Sequence, residues 1–167
     1  MSKAFTREDD AAELPLPPRQ ISSLPPGAKN YITPDGAERL RKEIARLLEQ
    51  RRTAAAPDAP ETRRGLTVLD NHIRQLEKSL NSATIVEPPP QPWTQVRFGA
   101  TVTVRDQQGE EFQYRIVGVD ETDVDRGWVS WCSPVANALL NAHIGQRIPL
   151  KVPAGDLELD ILAITYT

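Results

Sequence analysis

Two apolar stripes with helical spacing run through the first half of the chain. In "TPDGAERLRKEIARLLEQRR" the apolar positions recur every three or four residues, at Ala37, Leu40, Ile44 and Leu47. That spacing places them on one face of a helix. Thr33 is a good N-cap, and Pro34 suits the first helical position, where its missing N–H costs nothing. The pattern predicts a helix that begins after Thr33 and is broken at Pro57 and Pro60.

The second stripe is more regular than the first. In "ETRRGLTVLDNHIRQLEKSLNSA" the three-four spacing has no interruption, with Leu66, Leu69, Ile73, Leu76, Leu80 and Ala83. This is the pattern of a coiled-coil seam. Two such helices joined by a tight turn predict an antiparallel hairpin, each arm of which is about 30 Å long for some 20 residues. The hairpin either projects or lies back on a core, and the narrow stripes favour projection.

Beyond residue 86 the pattern changes from helical to strand-like. "VEPPPQP" is a stiff connector, after which "VRFGATVTVRD", "EEFQYRIVGVDE", "GWVSW", "QRIPLKV" and "LELDILAITY" predict strands. "SPVANALLN" predicts a short helix with Ser133 as its N-cap and Pro134 in its first turn. These segments predict a small α+β domain. The interpretation is a leader over 1–30, a hairpin over 31–86 with its tip at 54–62, a Pro-rich linker over 87–92 and a mostly-β domain over 93–167.

Composition adds two constraints to this division. Residues 1–30 mix charge, proline and serine without apolar periodicity, which predicts a disordered leader. The net charge of −3 argues against binding nucleic acid by bulk attraction. The hairpin segment 33–86 nevertheless carries ten Lys/Arg against eight Asp/Glu, whereas residues 93–167 carry six against ten. Any contact with nucleic acid is therefore expected on the hairpin.

Several chemistries are not supported by the residues present. The only cysteine is Cys132, which excludes an internal disulfide and a cysteine-rich zinc site, and we expect it to be a small buried residue. His72 and His143 lack ligand spacing, so we expect no metal held by the protein alone. No apolar run approaches the ~18 residues of a membrane span, and the N-terminus lacks the apolar core of a signal peptide. We expect a monomer in the cytoplasm.

The predicted hairpin tip holds the most suggestive residues. In "APDAPETRRG" the carboxylates of Asp58 and Glu61 are three apart. Asp-x-x-Glu at a helix start is also the capping-box pattern, in which the pair only satisfies backbone N–H groups. Pro60 complicates that interpretation, because it disfavours helical angles at Ala59. Four arginines flank the tip and either form a solvated face or follow phosphates: Arg51, Arg52, Arg63 and Arg64.

Two tryptophans lie beside the predicted short helix. Trp128 and Trp131 are three apart in the segment "GWVSW", so in a strand their side chains face opposite ways. One is expected in the core and the other exposed beside the helix. An exposed tryptophan there would be a good interface anchor.

Residues 31–167 resemble a known family. "YITPDGAERLRKEI", "FGATVTVRD", "YRIVGVDE" and "SPVANALLNAHIGQRIPLKVPAG" together are similar to the bacterial GreA/GreB transcript-cleavage factors, and more to the GreB side. The block "SPVANALL…G…PAG" is the most specific part. The resemblance implies an FKBP-like fold for residues 93–167, without prolyl isomerase activity.

The resemblance also implies a function. In that family the globular domain grips RNA polymerase at its secondary channel, and the finger enters the channel. An Asp-x-x-Glu pair at the tip then helps the polymerase hold its second Mg²⁺, so that backtracked RNA is cut near its 3′ end. The matching residues are Asp58 and Glu61 at the tip, with Ser133, Pro134, Ala136 and Leu139 on the gripping helix. Trp131 is not part of that match, and its place beside the helix makes it the candidate neighbouring anchor. The protein would not be an enzyme by itself, and it would need no cofactor of its own.

The chain departs from the family at the finger. Both arms are shorter by roughly two turns, or about 10 Å, and "ETRRG" replaces the usual Asn-Ala-aromatic sequence after the acidic pair. Two other functions therefore remain open. The protein could occupy the channel without cleavage and compete with longer factors, or its two parts could bind a different protein.

Overall fold

A computed structural model describes residues 24–54, 56, 58–153 and 155–167. Most of the predicted leader, residues 1–23, lies outside the described residues. The elements in chain order are β1 (Asn30–Ile32), α1 (Pro34–Thr53), α2 (Pro60–Ser82), β2 (Ala83–Ile85), β3 (Thr101–Arg105), β4 (Glu111–Val117), a 3₁₀ helix (Val119–Glu121), β5 (Trp128–Ser130), α3 (Pro134–Leu139), β6 (Arg147–Val152) and β7 (Gly155–Thr165). The predicted α+β class, a helical hairpin followed by a mostly-β domain, is confirmed.

Helix α1 begins where its capping residue predicts. The hydroxyl oxygen of Thr33 accepts a hydrogen bond from the backbone N–H of Gly36 at 2.9 Å, which satisfies one of the unpaired donors of the first turn. The apolar stripe faces the second arm and is buried at Ala37, Ile44 and Leu47. The helix ends at Thr53, four residues short of Pro57.

Helix α2 begins at Pro60, because the preceding Ala59 is extended (φ −96°, ψ 142°) as expected before proline. Only Ile73 of its stripe is buried; the remaining positions are partly exposed: Leu66, Leu69, Leu76, Leu80 and Ala83. A pair of helices without a third partner shields its seam only in part. No helix in the described part of the chain combines the length and the apolar character that crossing a membrane requires.

Gly65 offers a test of the α2 boundary. It lies inside α2, and a Cβ built on it has no heavy atom within 4 Å. We expect Gly65→Ala to raise the free energy of unfolding by about 0.5–1 kcal/mol, because alanine loses less backbone entropy in a helix. Urea unfolding monitored by circular dichroism measures the change. A lower midpoint for the variant would mean that residue 65 is not in a regular helix.

A two-stranded parallel sheet closes the base of the hairpin. Strand β1 enters α1 and β2 leaves α2, and they pair with Tyr31 opposite Thr84. The side chain of Asn30 donates to the carbonyl oxygen of Ser79 and to the hydroxyl of Ser82, both at 3.2 Å. This sheet is absent from the sequence-based expectations, which assigned residue 30 to the leader.

The β domain is built on a five-stranded sheet in the order β5-β4-β3-β7-β6. Strand β3 pairs antiparallel with β4 and β7, β6 pairs antiparallel with β7, and β5 pairs parallel with β4. Helix α3 packs against one face of this sheet. The largest fully buried side chains there include Val102, Val104, Ile116, Leu139 and Ile161.

Tyr166 joins the end of the sheet to the segment that precedes β3. Its hydroxyl accepts a hydrogen bond from the N–H of Arg97 at 3.1 Å and donates to the carbonyl oxygen of Gln95 at 3.3 Å. Burial raises the pKa of Tyr166 above its ordinary value near 10. The stability that comes from its neutral form is therefore complete below pH ~10 and is lost as the pH rises through the folded-state value.

This residue predicts a pH-dependent stability difference. We expect Tyr166→Phe to lower the free energy of unfolding by about 1 kcal/mol at pH 8, because two hydrogen bonds are lost. The difference in the free energy of unfolding should shrink when urea unfolding is repeated above pH 10. There Tyr166 ionises in the unfolded state, which stabilises that state and lowers the stability of the parent protein but not of the phenylalanine variant. A gap that widens at high pH would contradict the raised pKa.

Candidate functional site

The tip of the hairpin presents two exposed carboxylates. Asp58 lies just before α2, in a tight turn where its backbone N–H donates to the carbonyl oxygen of Ala56 at 2.8 Å. Glu61 lies in the first turn of α2, where the helix dipole favours a negative charge. Two other tip residues, 55 and 57, lie outside the described residues.

The capping-box interpretation of this pair is wrong. The N-cap of α2 is Ala59, which has no side chain able to cap, and no side-chain hydrogen bond caps this helix start. Pro60 is the cause, because it holds Ala59 in an extended conformation and makes it the boundary residue. Asp58 is left one position outside the helix. Neither carboxylate is used to cap α2, and both side chains face solvent.

Two of the four flanking arginines pair with carboxylates away from the tip. Arg51 donates from Nε and Nη2 to the two carboxylate oxygens of Asp70 across the hairpin, the second bond at 3.2 Å. Arg52 donates to both oxygens of Glu49 at 2.7 and 2.9 Å. These hydrogen bonds hold the pKa values of Asp70 and Glu49 below their ordinary range. Neither arginine neutralises the tip pair.

The other two arginines flank the tip more closely. Arg63 and Arg64 lie in the first turns of α2, only two and three residues beyond Glu61, and both are exposed. The backbone N–H of Arg63 donates to the carbonyl oxygen of Ala59 at 3.1 Å, which completes the first turn of the helix. The tip therefore carries carboxylates and guanidinium groups within two helical turns.

Helix α3 separates the predicted docking residues into two groups. Ser133 caps the helix by accepting a hydrogen bond from Ala136 N–H at 3.2 Å, and Pro134 is exposed. Ala136 and Leu139 are fully buried in the core. The prediction that these two contact a partner is corrected, because they have no exposed surface; they anchor the helix. The exposed face instead carries Asn137, one turn beyond Pro134, a position that helical spacing alone could have identified.

Trp131 also differs from its prediction. It follows β5 rather than lying in it, and its ring packs edge-on against Tyr31 from β1, with centroids 5.3 Å apart at 69°. Its indole Nε1 is buried and has no hydrogen-bond partner among the described residues. Trp131 thus packs between the hairpin base and the β domain. Neither tryptophan is fully exposed, since Trp128 is also partly buried, and contact of Trp131 with a partner stays a prediction.

Cys132 and the two histidines do not form a site. Cys132 is half-buried rather than fully buried, with its sulfur 2.9 Å from the hydroxyl of Ser130. Within the ranges that the structure describes, no group of three or more His, Cys, Asp or Glu side chains is arranged to hold a metal ion. The tip carboxylates are two in number, so a metal there would need further ligands from elsewhere.

The base of the hairpin meets the β domain through polar and aromatic contacts. Asp35 in the first turn of α1 lies 3.8 Å from the guanidinium of Arg115 on β4. The guanidinium of Arg39 stacks over the ring of Trp128 at 4.5 Å. At the other arm, the hydroxyl of Ser79 donates to the carboxylate of Asp120. A cavity of about 290 Å³ lies beside these contacts. The carboxylate tip is therefore at the opposite end of the hairpin from the β domain.

Comparison with known proteins identifies the family. Residues 91–166 match the family model described as "Transcription elongation factor, GreA/GreB, C-term". The chain is 36% identical over 154 residues to transcription elongation factor GreB of Neisseria meningitidis serogroup B, covering 83% of this chain and 94% of the relative. It is 32% identical over 151 residues to transcription elongation factor GreA of Chlorobium phaeobacteroides, covering 80% and 95%.

A solved structure described as prokaryotic transcription elongation factor GreA/GreB from Nitrosomonas europaea is 28% identical, with a TM-score of 0.43, covering 83% of this chain and 99% of that one. The alignment with the Neisseria protein has 154 positions, but it covers only 83% of the 167 residues of this chain, which is fewer residues than positions. The relative therefore has residues for which this chain has none. With a relative more than 30% identical over nearly its full length, the chain belongs to the GreA/GreB family of transcription elongation factors.

Proposed function

We propose that this protein binds RNA polymerase at its secondary channel and stimulates cleavage of backtracked RNA by the polymerase's own active site. The observation that carries the proposal is the placement of Asp58 and Glu61. They are exposed, unused by the helix cap, and separated from the β domain by the length of α1, which is 20 residues or about 30 Å.

The chemistry suits such a pair of carboxylates. Mg²⁺ keeps most of its waters and accepts one or two carboxylates from a protein. In a two-metal site, a bound ion lowers the pKa of the attacking water and stabilises the attacking oxygen. Asp58 and Glu61 would complete the ligand set of a polymerase-bound ion, while the polymerase supplies the metal and the RNA. The protein is then an activator and not an enzyme on its own.

The β domain would provide the docking surface. We assign docking to the exposed face of α3, which contains Pro134 and Asn137. Ser133 fixes the start of this helix, and the buried Ala136 and Leu139 fix its position on the sheet. A short helix anchored in this way presents its exposed residues in a defined orientation, which lowers the entropic cost of binding.

The arginines nearest the tip suit contact with RNA. Arg63 and Arg64 follow the acidic pair directly, and guanidinium groups bind phosphates through paired hydrogen bonds. In Arg51 and Arg52 the Nε and Nη2 groups already donate to Asp70 and Glu49. The proposal assigns contact with the 3′ segment of the nascent RNA to Arg63 and Arg64 from their place beside the acidic pair.

A backtracked elongation complex tests the proposed function. Purified polymerase is stalled with the RNA 3′ end extruded, the protein is added in excess, and release of short 3′ fragments is followed with Mg²⁺ present. We expect fragment release to accelerate and the shortened RNA to be extended when nucleotides are added. An unchanged cleavage rate, with binding to polymerase confirmed by co-migration, would reject the cleavage role.

A second candidate function is occupation of the channel without cleavage. It is favoured by the gaps in the alignment with the Neisseria relative, which are compatible with the shorter finger expected from the sequence. In this case adding the protein to a reaction that contains a full-length GreB should slow cleavage as the two compete for one site. If GreB-stimulated cleavage stays constant at saturating concentrations of this protein, the competition role is excluded.

A further inference from the structure

One buried carboxylate joins the hairpin to the β domain. Glu121 ends the 3₁₀ helix after β4, and its side chain is only 3% exposed. Its Oε2 accepts hydrogen bonds from the backbone N–H of Thr33 at 3.0 Å and of Gly118 at 2.9 Å. Its Oε1 accepts from the hydroxyl of Thr33 and, at 3.4 Å, from Nη2 of Arg39.

The donors come from both parts of the molecule. Thr33 and Arg39 belong to the start of α1, whereas Gly118 belongs to the β domain. The hydroxyl of Thr33 also accepts the capping bond from Gly36 N–H at 2.9 Å. The helix start and the domain therefore share one hydrogen-bonded group. A buried carboxylate that accepts several hydrogen bonds fixes the positions of its donors, because leaving any of them unpaired is costly.

The surrounding backbone leaves little room for rearrangement. A Cβ on Gly36 would lie 1.9 Å from Oε1 of Glu121, and a Cβ on Gly118 would lie 2.2 Å from the carbonyl oxygen of Tyr31. Both glycines thus permit an approach that no other residue allows. Glu121 is enclosed by α1 on one side and by the 3₁₀ turn on the other.

The angle at this joint decides where the tip lies. A rod about 30 Å long that swings by about 10° at its base moves its end by about 5 Å. A misplacement of about 1 Å at a reacting centre can lower a rate about a hundredfold. The neighbouring contacts of the joint are more exposed: the side chains of Arg39 and Asp35 are 39% and 53% exposed. The Glu121 side chain is the most buried of these charged groups, since that of Arg115, the partner of Asp35, is 10% exposed.

We propose that Glu121 is a positioning residue, which fixes the angle between hairpin and β domain and so delivers Asp58 and Glu61 to the polymerase-bound metal. The second half of this statement rests on the proposed function; the first half does not. Glu121 touches neither metal nor RNA and acts only through the orientation of the hairpin.

Three variants test the role. Glu121→Ala removes all four hydrogen bonds. Glu121→Gln keeps one oxygen for the N–H groups of Thr33 and Gly118, and its amide nitrogen can donate to the Thr33 hydroxyl. Glu110→Ala removes a carboxylate from an exposed position of the β3–β4 turn and serves as the matched control. Circular dichroism melts establish that each variant is folded, and the glutamine variant covers the case in which the alanine variant is not.

The first readout is a distance in the free protein. Spin labels are placed at Val68→Cys on α2 and Gln108→Cys on the β3–β4 turn, in a Cys132→Ser background, and the distance distribution is measured by double electron–electron resonance. We expect one narrow distribution for the parent and the control, a distribution at least twice as wide for Glu121→Ala, and an intermediate width for Glu121→Gln. Equal widths for the parent and both Glu121 variants would overturn the proposal.

The second readout separates binding from cleavage. At saturating protein we expect Glu121→Ala to stimulate RNA cleavage at least tenfold less than the parent while its Kd for polymerase changes by less than about threefold, with partial recovery in Glu121→Gln. A wider distance distribution with undiminished cleavage would overturn the positioning role. If the parent itself does not stimulate cleavage, the proposed function fails, and the distance measurement alone decides whether Glu121 sets the angle.

Discussion

Replacing both Asp58 and Glu61 with alanine is expected to lower stimulated RNA cleavage in a backtracked complex by about a hundredfold or more. Groups that only support a metal site from outside its ligand shell already change activity by about 10–100-fold, and the proposed pair would act as ligands. Binding to polymerase should be unaffected, because the pair lies at the far end of the hairpin from α3. Single-turnover fragment release at saturating protein measures the effect.

The same experiment carries its own controls. Asp58→Asn with Glu61→Gln keeps the size of both side chains and removes their charge, and should be as defective as the alanine double variant. Glu77→Ala removes an exposed carboxylate further along α2 and should cleave at the parental rate. Cleavage by the alanine double variant at the parental rate would show that the tip carboxylates are not used.

Gly118→Ala is expected to destabilise the protein by about 1–3 kcal/mol, the range for forcing an extra carbon into a packed site. Its Cβ would lie 2.2 Å from the backbone carbonyl oxygen of Tyr31 and 3.0 Å from Oε2 of Glu121. Moving a side chain cannot relieve the first contact, because the obstructing carbonyl oxygen belongs to the backbone of β1. Either the β1–β2 pair or the turn after β4 must shift.

Urea unfolding at neutral pH measures this loss, and Gly65→Ala is the matched comparison. Both variants add one methyl group at a glycine with negative φ, but residue 65 is open and residue 118 is enclosed. The two changes should therefore have opposite signs. If Gly118→Ala unfolds at the parental midpoint, the close approach of Tyr31 to Gly118 is not present in solution.

The helices were predictable because their signals are local. The spacing of Ile44 and Leu47 and the cap at Thr33 each depend on residues within two turns, and the structure has the same helix. Ser133 and Pro134 likewise mark the start of α3. Alternation identified the four longer strands of the main sheet for the same reason, since strand faces repeat every second residue.

The joint between the two parts was not predictable in this way. Glu121 is 88 residues from Thr33 along the chain, and a Val-Asp-Glu sequence gives no indication that its glutamate is buried. Strands β1 and β2 have three residues each, which is too short for a periodic pattern.

The error at Ala136 and Leu139 has a different source. The motif predicts them as contacts, whereas two residues three apart on a short helix share one face, here the buried one.

The parallel pairing of β1 with β2 means that the hairpin closes its own ends before it reaches the β domain. The length of the hairpin can then vary without altering its base. Adding seven residues to each arm would extend the hairpin by about 10 Å and leave Asn30 opposite Ala83. The length of the hairpin and the structure of its base are thus separable properties, free to diverge independently among relatives that share the β domain.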